Sequence, residues 1–310
     1  MNAQVLCTTK DMAREEWLKW RMKGIGGSDV AAIAGINRWK SAVEVWLEKT
    51  GQLESSEPGE AAYWGNQLED LVAKEFEKRT GLKVRRRNAI LQHPKYPFML
   101  ANIDRDIVGV KEGLECKTAG EYRKDEWKDD KVPDEYILQV QHYMAVCGYD
   151  AWWIAVLIGG NKFQYKRIER DEEIINYLIQ IEKEFWGKYV VTKELPPVDG
   201  SQASTEILNK LYPDSVPESR IELPPSAQDL LDQYDKAKEQ ESYWKERKDE
   251  ASNKLKELMG EHELGFVGER KISWKTIVSN RLDTKKFKKD HPDLFAQYAK
   301  ESKSRRFEIR

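Results

Sequence analysis

The segments Asn102–Asp104 and Leu114–Lys117, with the sequences NID and LECK, decide the fold of this chain. Asp104 ends one predicted strand, and eleven residues later Glu115 and Lys117 stand two apart on the next. Because side chains alternate along a strand, Glu115 and Lys117 share one face. Two carboxylates that converge at a sheet edge form an all-oxygen site suited to Mg²⁺, which Mn²⁺ can replace. A lysine beside them can hold, or help deprotonate, a water that attacks a phosphate.

Three further motifs favour such a site over a plain solvated strand, which the same spacing would also fit in a chain with 34% charged residues. Glu69 lies in WGNQLE, on a predicted helix before the sheet, where it can supply a third carboxylate. Gln139 lies in YILQVQ, on a helix that crosses the sheet, and can bind a water or a phosphate oxygen. Arg21 and Ser28 flank GIGG ahead of a helix start, which predicts a phosphate pocket. The plain alternatives are an exposed glutamate, a solvated glutamine and a simple turn.

Hydrophobic periodicity predicts an α/β core over residues 1–195, with a mixed central sheet flanked by helices. Helices are expected over 11–22, 28–34, 41–51, 61–79, 134–146 and 171–191, and strands over 83–91, 98–110, 113–118, 152–158 and 162–168. The last two strands are expected to form a hairpin.

A different composition begins after the core. Residues 196–223 are rich in Pro, Gly and Ser and are predicted to be a linker. Residues 224–310 are predicted to be a mainly helical extension. Within it, the apolar 3–4 spacing is interrupted at Glu241 and Lys248, which favours a helical hairpin or intrachain pairing over a long coiled coil. A basic run near residue 285 suggests an accessory module that contacts DNA or a partner, and a structural cap on the core is the alternative.

Composition excludes several classes of protein. The net charge of the 310-residue chain is only −2, so a nucleic-acid binder would have to use local basic patches. Cys7, Cys116 and Cys147 fit no disulfide framework and no CxxC zinc site, and we expect free thiols in a reducing cytoplasm. The longest apolar run, 151–158, is far short of the ~20 residues of a membrane helix. We expect a soluble, cytoplasmic protein with no membrane partner.

The order of the four motifs, R-x(6)-S, WGxxxE, D…ExK and YxxQxQ, resembles that of the lambda-exonuclease-like, YqaJ-type viral recombinases, over residues from about 15 to 190. This resemblance implies a PD-(D/E)xK nuclease fold, of the restriction-endonuclease-like type, and a Mg²⁺-dependent 5′-to-3′ exonuclease that digests one strand of duplex DNA. It also implies a trimeric, ring-shaped homo-oligomer, cooperation with a single-strand annealing protein in recombination, and a phage or prophage origin in a bacterial host cell.

Roles for individual residues follow from the resemblance. Asp104 and Glu115 match the metal ligands, with the backbone carbonyl of Cys116 as a third donor, and Lys117 matches the motif lysine. Glu69 matches the acid of the upstream helix, and Gln139 matches the first glutamine of YxxQxQ. Arg21 and Ser28 match the pair that contacts a 5′ phosphate. Arg105 departs from the pattern, because relatives often have glycine after the metal-binding aspartate.

Two rival functions stay open. A structure-specific or nicking endonuclease on the same fold would use the same metal residues, and only the pocket at Arg21 and Ser28 argues against it. The second rival function is a catalytically idle DNA-binding or annealing module, in which the carboxylates have a structural role. Nuclease relatives with an iron–sulfur cluster need four cysteine ligands, and this chain has three cysteines.

Overall fold

A computed structural model describes residues 3–53, 59–300 and 303–309. The chain divides into two units, Met1–Tyr212 and Pro213–Arg310. The elements of the first unit are, in chain order, β1 (Gln4–Thr8), α1 (Arg14–Arg21), β2 (Ile25–Gly26), α2 (Gly27–Ile33), α3 (Ala42–Lys49), α4 (Glu60–Thr80), β3 (Val84–Arg86), β4 (Ala89–Gln92), β5 (Met99–Ala101), β6 (Arg105–Ile107), β7 (Glu112–Ala119), a 3₁₀ helix (Glu121–Trp127), α5 (Asp134–Cys147), β8 (Ala151–Ile158), β9 (Lys162–Glu169), α6 (Glu172–Glu184), a π-helical turn (Phe185–Val190) and α7 (Gln202–Leu211).

A five-stranded mixed sheet in the order β3-β6-β7-β8-β9 forms the centre of the first unit. β7 and β8 are parallel, and the other pairs are antiparallel. Alternation along β8 gives each face its own apolar core: Ala155 packs with Phe76 of α4, and Trp152 and Ile154 pack with Met144 of α5. The sheet is therefore covered by one helix on each face, which confirms the predicted α/β class.

A smaller, four-stranded sheet in the order β1-β4-β5-β2 positions the glycine-rich segment. β2 pairs in parallel with β5 and leads directly into α2. Gly24 is required here, because a Cβ at this position would lie 2.7 Å from the carbonyl oxygen of Phe98. The chain thus enters α2 with its first backbone N–H groups close to the sheet.

The predicted hairpin is confirmed, since β8 and β9 pair from Ala151↔Glu169 to Ile158↔Lys162. Gly159 and Gly160 at its turn both have positive φ, 58° and 75°. Cys7, Cys116 and Cys147 are free, as expected. Among the described residues, no helix is both long and apolar enough to cross a membrane.

The predicted linker over 196–223 is wrong for residues 202–211, which form α7. Ser201 caps this helix by accepting a hydrogen bond from the N–H of Ser204 at 3.1 Å. Ile207 is buried against the core that α3 and α6 share. The Pro, Gly and Ser residues around α7 obscure the apolar stripe of Ala203, Ile207 and Leu211, and this stripe attaches the helix to the first unit.

The second unit contains α8 (Ala227–Met259), β10 (Leu264–Val267), β11 (Arg270–Ser273), α9 (Thr284–Asp290) and α10 (Pro292–Tyr298). The expectation of a mainly helical extension is confirmed, with an added hairpin of β10 and β11. The predicted helical hairpin is wrong, because α8 is one helix of 33 residues. Glu241 and Lys248 lie on its exposed surface and do not interrupt it.

Candidate active site

Glu115 and Lys117 lie side by side on the face of β7 that α5 covers. The Nζ of Lys117 is 2.7 Å from Oε1 of Glu115. The amide nitrogen of Gln139 donates to the same oxygen at 2.7 Å, and its Oε1 accepts from Lys117 Nζ at 3.1 Å. Strand alternation predicted the first pair correctly, and α5 brings Gln139 to it across 24 residues of sequence. The three side chains form a closed ring of hydrogen bonds.

Asp104 lies at the bend immediately before β6, next to this ring. Its Oδ2 accepts a hydrogen bond from the backbone N–H of Cys116 at 2.8 Å, which fixes the carboxylate beside β7. Burial raises the pKa of Asp104 well above its ordinary value, and the negative charges of Glu115 and Glu69 raise it further. Burial and the neighbouring carboxylates therefore both disfavour the charged form of Asp104.

Glu115 has an oxygen that nothing among the described residues satisfies. Its side chain is buried, and Oε2 has no hydrogen-bond partner there. A buried carboxylate oxygen without a partner is costly, and a cation is the partner that would best satisfy it. This unpaired oxygen and the raised pKa of Asp104 are the two observations that fit a metal ion.

The donor set limits which metal fits. Within the described part of the chain, no three His, Cys, Asp or Glu side chains are arranged to hold a metal ion. Asp104 and Glu115 would thus be two carboxylate ligands, supplemented by backbone, water or phosphate oxygens. Mg²⁺ suits such a site, because it retains several waters and binds through one or two carboxylates. The Cys116 carbonyl as a third donor stays a prediction.

Glu69 is close to this centre but is already paired. Its Oε1 accepts a hydrogen bond from Arg105, which is only 4% exposed and whose second nitrogen lies 2.5 Å from Oδ1 of Asp70. Arg105 also donates to the backbone carbonyl of Asp104 at 2.8 Å. The pairing joins residues 36 positions apart, and no local pattern signals it. Glu69 therefore stands as a neighbour of the two carboxylates, held by an arginine.

Arg21 and Ser28 come together as the sequence predicted, at the mouth of a cavity of about 130 Å³. The guanidinium of Arg21 donates to Oγ of Ser28 at 3.1 Å. Gly27 opens α2 beneath them, and a Cβ there would lie 2.6 Å from the ring of Tyr143. An arginine, a serine and the first residues of a helix thus line one cavity, and the guanidinium and hydroxyl are groups that bind anions.

Asp29 is a site residue that the sequence did not reveal as such. It is fully buried, and three cations surround its carboxylate: Lys49 at 2.7 Å, Lys40 at 3.1 Å and Arg21 at 3.2 Å. Burial favours its neutral form, but the three cations outweigh burial and hold the pKa of Asp29 well below its ordinary value. Asp29 therefore fixes the guanidinium of Arg21. Its place directly after Ser28 in the glycine-rich segment was the one available signal.

Tyr143 connects the cavity with the carboxylates. Its ring lines the cavity beside Arg21, and its hydroxyl accepts a hydrogen bond from the Gln139 amide at 3.0 Å. The same amide donates to Glu115. The two groups of residues that the sequence predicted separately are thus parts of one continuous site.

Comparisons with known proteins place these features in a family. A family model described as the YqaJ-like viral recombinase domain matches residues 16–150. The uncharacterized protein YqaJ of Bacillus subtilis (strain 168) is 49% identical to this chain over 311 residues, covering 99% of this chain and 98% of that protein.

Two solved structures match part of this chain. One is an alkaline exonuclease from Laribacter hongkongensis, at 19% identity and a TM-score of 0.49, covering 64% of this chain and 99% of that one. The other is a phage related exonuclease from Haemophilus somnus 129PT, at 14% identity and a TM-score of 0.45, covering 57% and 99%. Similarities of this size do not bear on the activity of the chain.

Proposed function

The chain belongs to the YqaJ-like viral recombinase family, and we propose that it is a magnesium-dependent exonuclease that digests one strand of linear double-stranded DNA in the 5′-to-3′ direction, for homologous recombination. The observation that carries the proposal is the buried Oε2 of Glu115, which has no hydrogen-bond partner among the described residues and lies beside Asp104. Two neighbouring carboxylates, one with such an oxygen, next to a cavity lined by an arginine and a serine, are what metal-assisted phosphodiester hydrolysis needs.

Asp104 and Glu115 would hold Mg²⁺, which Mn²⁺ can replace, with the carbonyl of Cys116 as a further oxygen donor. When bound, the ion would polarise the scissile phosphate and neutralise charge on the leaving oxygen. Glu69, once released by Arg105, would orient a water near these ligands.

Lys117 acts as an ammonium in this proposal. Burial opposes its charge, but Glu115 and Asp104 outweigh burial and raise the pKa of Lys117 above its ordinary value. The side chain therefore donates hydrogen bonds to the attacking water or to a phosphate oxygen. Gln139 contacts both Lys117 and Glu115 and keeps their geometry fixed.

Arg21 and Ser28 supply the exonuclease character. Their cavity would hold the terminal 5′ phosphate, and Tyr143 places it within two hydrogen bonds of Glu115. An enzyme that grips a terminus cuts from that terminus and has no hold on closed circular DNA.

The description of the family as viral recombinases supports duplex DNA as the substrate that we propose. As further partners we propose a single-strand annealing protein that takes up the strand left behind, and other copies of this chain in a trimeric ring. The cytoplasm of a bacterial host cell, with a phage or prophage origin, is the corresponding setting.

The test is degradation of linear duplex DNA labelled at either the 5′ or the 3′ end, with Mg²⁺ and with EDTA. The expected result is metal-dependent release of the 5′ label first, with the complementary strand left intact. Cleavage of closed circular DNA would favour the endonuclease alternative. DNA binding without cleavage in Mg²⁺ would favour the idle binding or annealing module.

A further inference from the structure

Three large aromatic side chains stand exposed around one groove at the end of β7. Trp39, Trp64 and Tyr122 are 68%, 52% and 82% exposed. The groove between them has a volume of about 570 Å³, and its floor includes Thr118 and Gly120. Exposed aromatic rings in one concave surface indicate a binding site for a flat, partly apolar ligand.

Two of the three rings make contacts that restrict them although they are exposed. The indole nitrogen of Trp64 donates to Oε1 of Glu60 at 2.8 Å, and Tyr63 packs edge-on against the indole at 5.5 Å. Tyr122 lies over Gly120, where a Cβ would come within 2.5 Å of its ring. Because these two rings are restricted before binding, a ligand that stacks on them loses less affinity to their ordering.

The groove is connected to the candidate active site through Tyr136 and α4. Thr118 lines the groove from the face of β7 opposite Lys117, since side chains alternate along a strand. The ring of Tyr136 lies 4.8 Å from Nζ of Lys117 and 5.9 Å from the guanidinium of Arg123, which lines the groove. On α4, Leu68 lines the groove and the next residue, Glu69, belongs to the acidic centre. Tyr136 and the neighbouring residues Leu68 and Glu69 of α4 thus join the groove to the active site.

The charges beside the groove argue for bases as the ligand, since the arginines there are paired with carboxylates. Arg123, which lines the groove, binds Glu126 at 2.6 Å and Glu135 at 2.8 Å, and Arg38, next to Trp39 in the sequence, binds Glu126 at 3.1 Å. A groove that offers rings and neutralised arginines favours stacking over phosphate contacts.

We propose that this aromatic groove, defined by Trp39, Trp64 and Tyr122, binds unstacked bases of single-stranded DNA next to the active site. The inference rests on the proposed function, because it is nuclease action that generates a single strand beside Lys117. Each ring would offer one face on which a base stacks, whatever its sequence.

The test is the affinity of the full-length protein for a single-stranded oligonucleotide that contains 2-aminopurine, measured by fluorescence in EDTA, where cleavage cannot interfere. Trp39→Ala and Tyr122→Ala should each weaken binding about tenfold, and the double variant more, because base–aromatic stacking contributes ~1–3 kcal/mol per base. The salt dependence of binding should stay as in wild type, since no phosphate contact is removed.

The matched control is Tyr177→Ala, which removes a 53% exposed tyrosine from α6 and should leave binding unchanged. The proposal would be overturned if the double variant bound with wild-type affinity or if the control lost as much affinity as the groove variants. It would also be overturned if the wild-type protein did not bind the oligonucleotide. A wild-type protein that binds the oligonucleotide normally but never degrades duplex DNA in Mg²⁺ would overturn the proposed function instead.

Discussion

Arg105 holds the carboxylate of Glu69, and it does so from the position directly after Asp104. Arg105, which follows the candidate metal ligand Asp104, thus neutralises Glu69. Without Arg105, the negative charge of Glu69 would add to that of Asp104. Asp70 shares the same guanidinium at 2.5 Å. The negative charge available to a cation at this site is therefore set by an arginine as well as by the carboxylates.

Arg105→Ala should tighten Mg²⁺ binding, because it leaves Glu69 charged and unpaired near Asp104. One added negative charge near the ion contributes on the order of 1 kcal/mol to the free energy of Mg²⁺ binding, or about fivefold in affinity. Titration calorimetry with Mg²⁺ measures the change directly. Arg105→Lys retains the cation and is the control, with wild-type affinity expected. Weaker Mg²⁺ binding in the alanine variant would contradict this role of Arg105.

Asp104→Ala or Glu115→Ala should lower the rate of DNA degradation by at least ~10³, the scale of losing a main electrostatic element. Both variants should also lose Mg²⁺ binding in calorimetry while circular dichroism shows an intact fold. Glu112→Gln is the matched control, since Glu112 begins the same strand but pairs with Arg167 and Trp153. Near-normal cleavage by either alanine variant would show that the metal site lies elsewhere.

Asp29→Asn should change how stability depends on pH. The folded pKa of Asp29 is depressed, so its contribution is present above the unfolded-chain pKa of about 3.9 and is lost as the pH falls through the folded value. Removing this charge leaves Lys49 and Arg21 without the carboxylate that pairs with them, while Lys40 keeps Glu48, at a cost of ~3–5 kcal/mol at pH 7. Urea unfolding at pH 7 and pH 3 should show that the difference between variant and wild type shrinks at the lower pH.

Asp134→Asn is the control for that measurement, because this carboxylate is exposed in the first turn of α5. It should change stability by no more than ~0.5 kcal/mol. A difference between Asp29→Asn and wild type that stays constant from pH 7 to pH 3 would contradict the depressed pKa.

A chain that ends at Tyr212 should fold, whereas a chain that ends at Gly200 should be less stable. The chain that ends at Gly200 lacks α7, so the apolar surface that Ile207 covers becomes exposed. Burial of one such side chain contributes ~1.5–3 kcal/mol. Thermal unfolding of the two truncates tests this difference. Equal melting temperatures would contradict the assignment of α7 to the first unit.

The truncate that ends at Tyr212 also tests the second unit. If the basic segment around Lys285 and Lys286 contacts DNA, its removal should weaken duplex binding and reduce the salt dependence of that binding. A soluble truncate with unchanged activity, salt dependence and partner binding would refute the accessory role and leave a structural one.

The parts of the site that sequence could predict are those that strand and helix periods encode. Glu115 and Lys117 had to share a face because strands alternate, and Arg21 met Ser28 across one glycine-rich turn. The rest depends on contacts between distant segments. The pairing of Arg105 with Glu69 spans 36 residues, and Asp29 gathers cations that lie 8, 11 and 20 residues away.

The errors in the fold have the same origin. α7 was predicted to be linker because its composition resembles one, although its apolar stripe finds a partner in the core of the first unit. The expected break in α8 depended on the charged residues Glu241 and Lys248. Such residues end a helix-packing stripe only where the stripe is buried against another helix. Both residues are exposed, and the helix passes through them unbroken.

Arg21→Ala should erase most of the preference for 5′-phosphate over 5′-hydroxyl ends. A terminal phosphate monoester carries more negative charge than an internal diester. An arginine at a helix amino terminus therefore binds the monoester more tightly. Loss of one hydrogen bond to a charged group costs about 1.5–3 kcal/mol, which corresponds to roughly 10- to 150-fold in rate ratio. The measurement is the initial rate on matched linear duplexes that differ only at the 5′ terminus.

Lys23→Ala is the matched control for Arg21→Ala. Lys23 is a basic residue two positions after Arg21, just beyond the end of α1, but its ammonium lies over the ring of Trp20 at 3.6 Å and does not line the cavity. This variant should keep the phosphate preference, and both variants should keep wild-type Mg²⁺ affinity, because the Arg21 cavity and the carboxylates bind different charges. A wild-type protein indifferent to the terminal phosphate, or an Arg21→Ala variant that still prefers it, would show that the cavity does not hold the DNA end. The endonuclease alternative would then be the better explanation of the carboxylates.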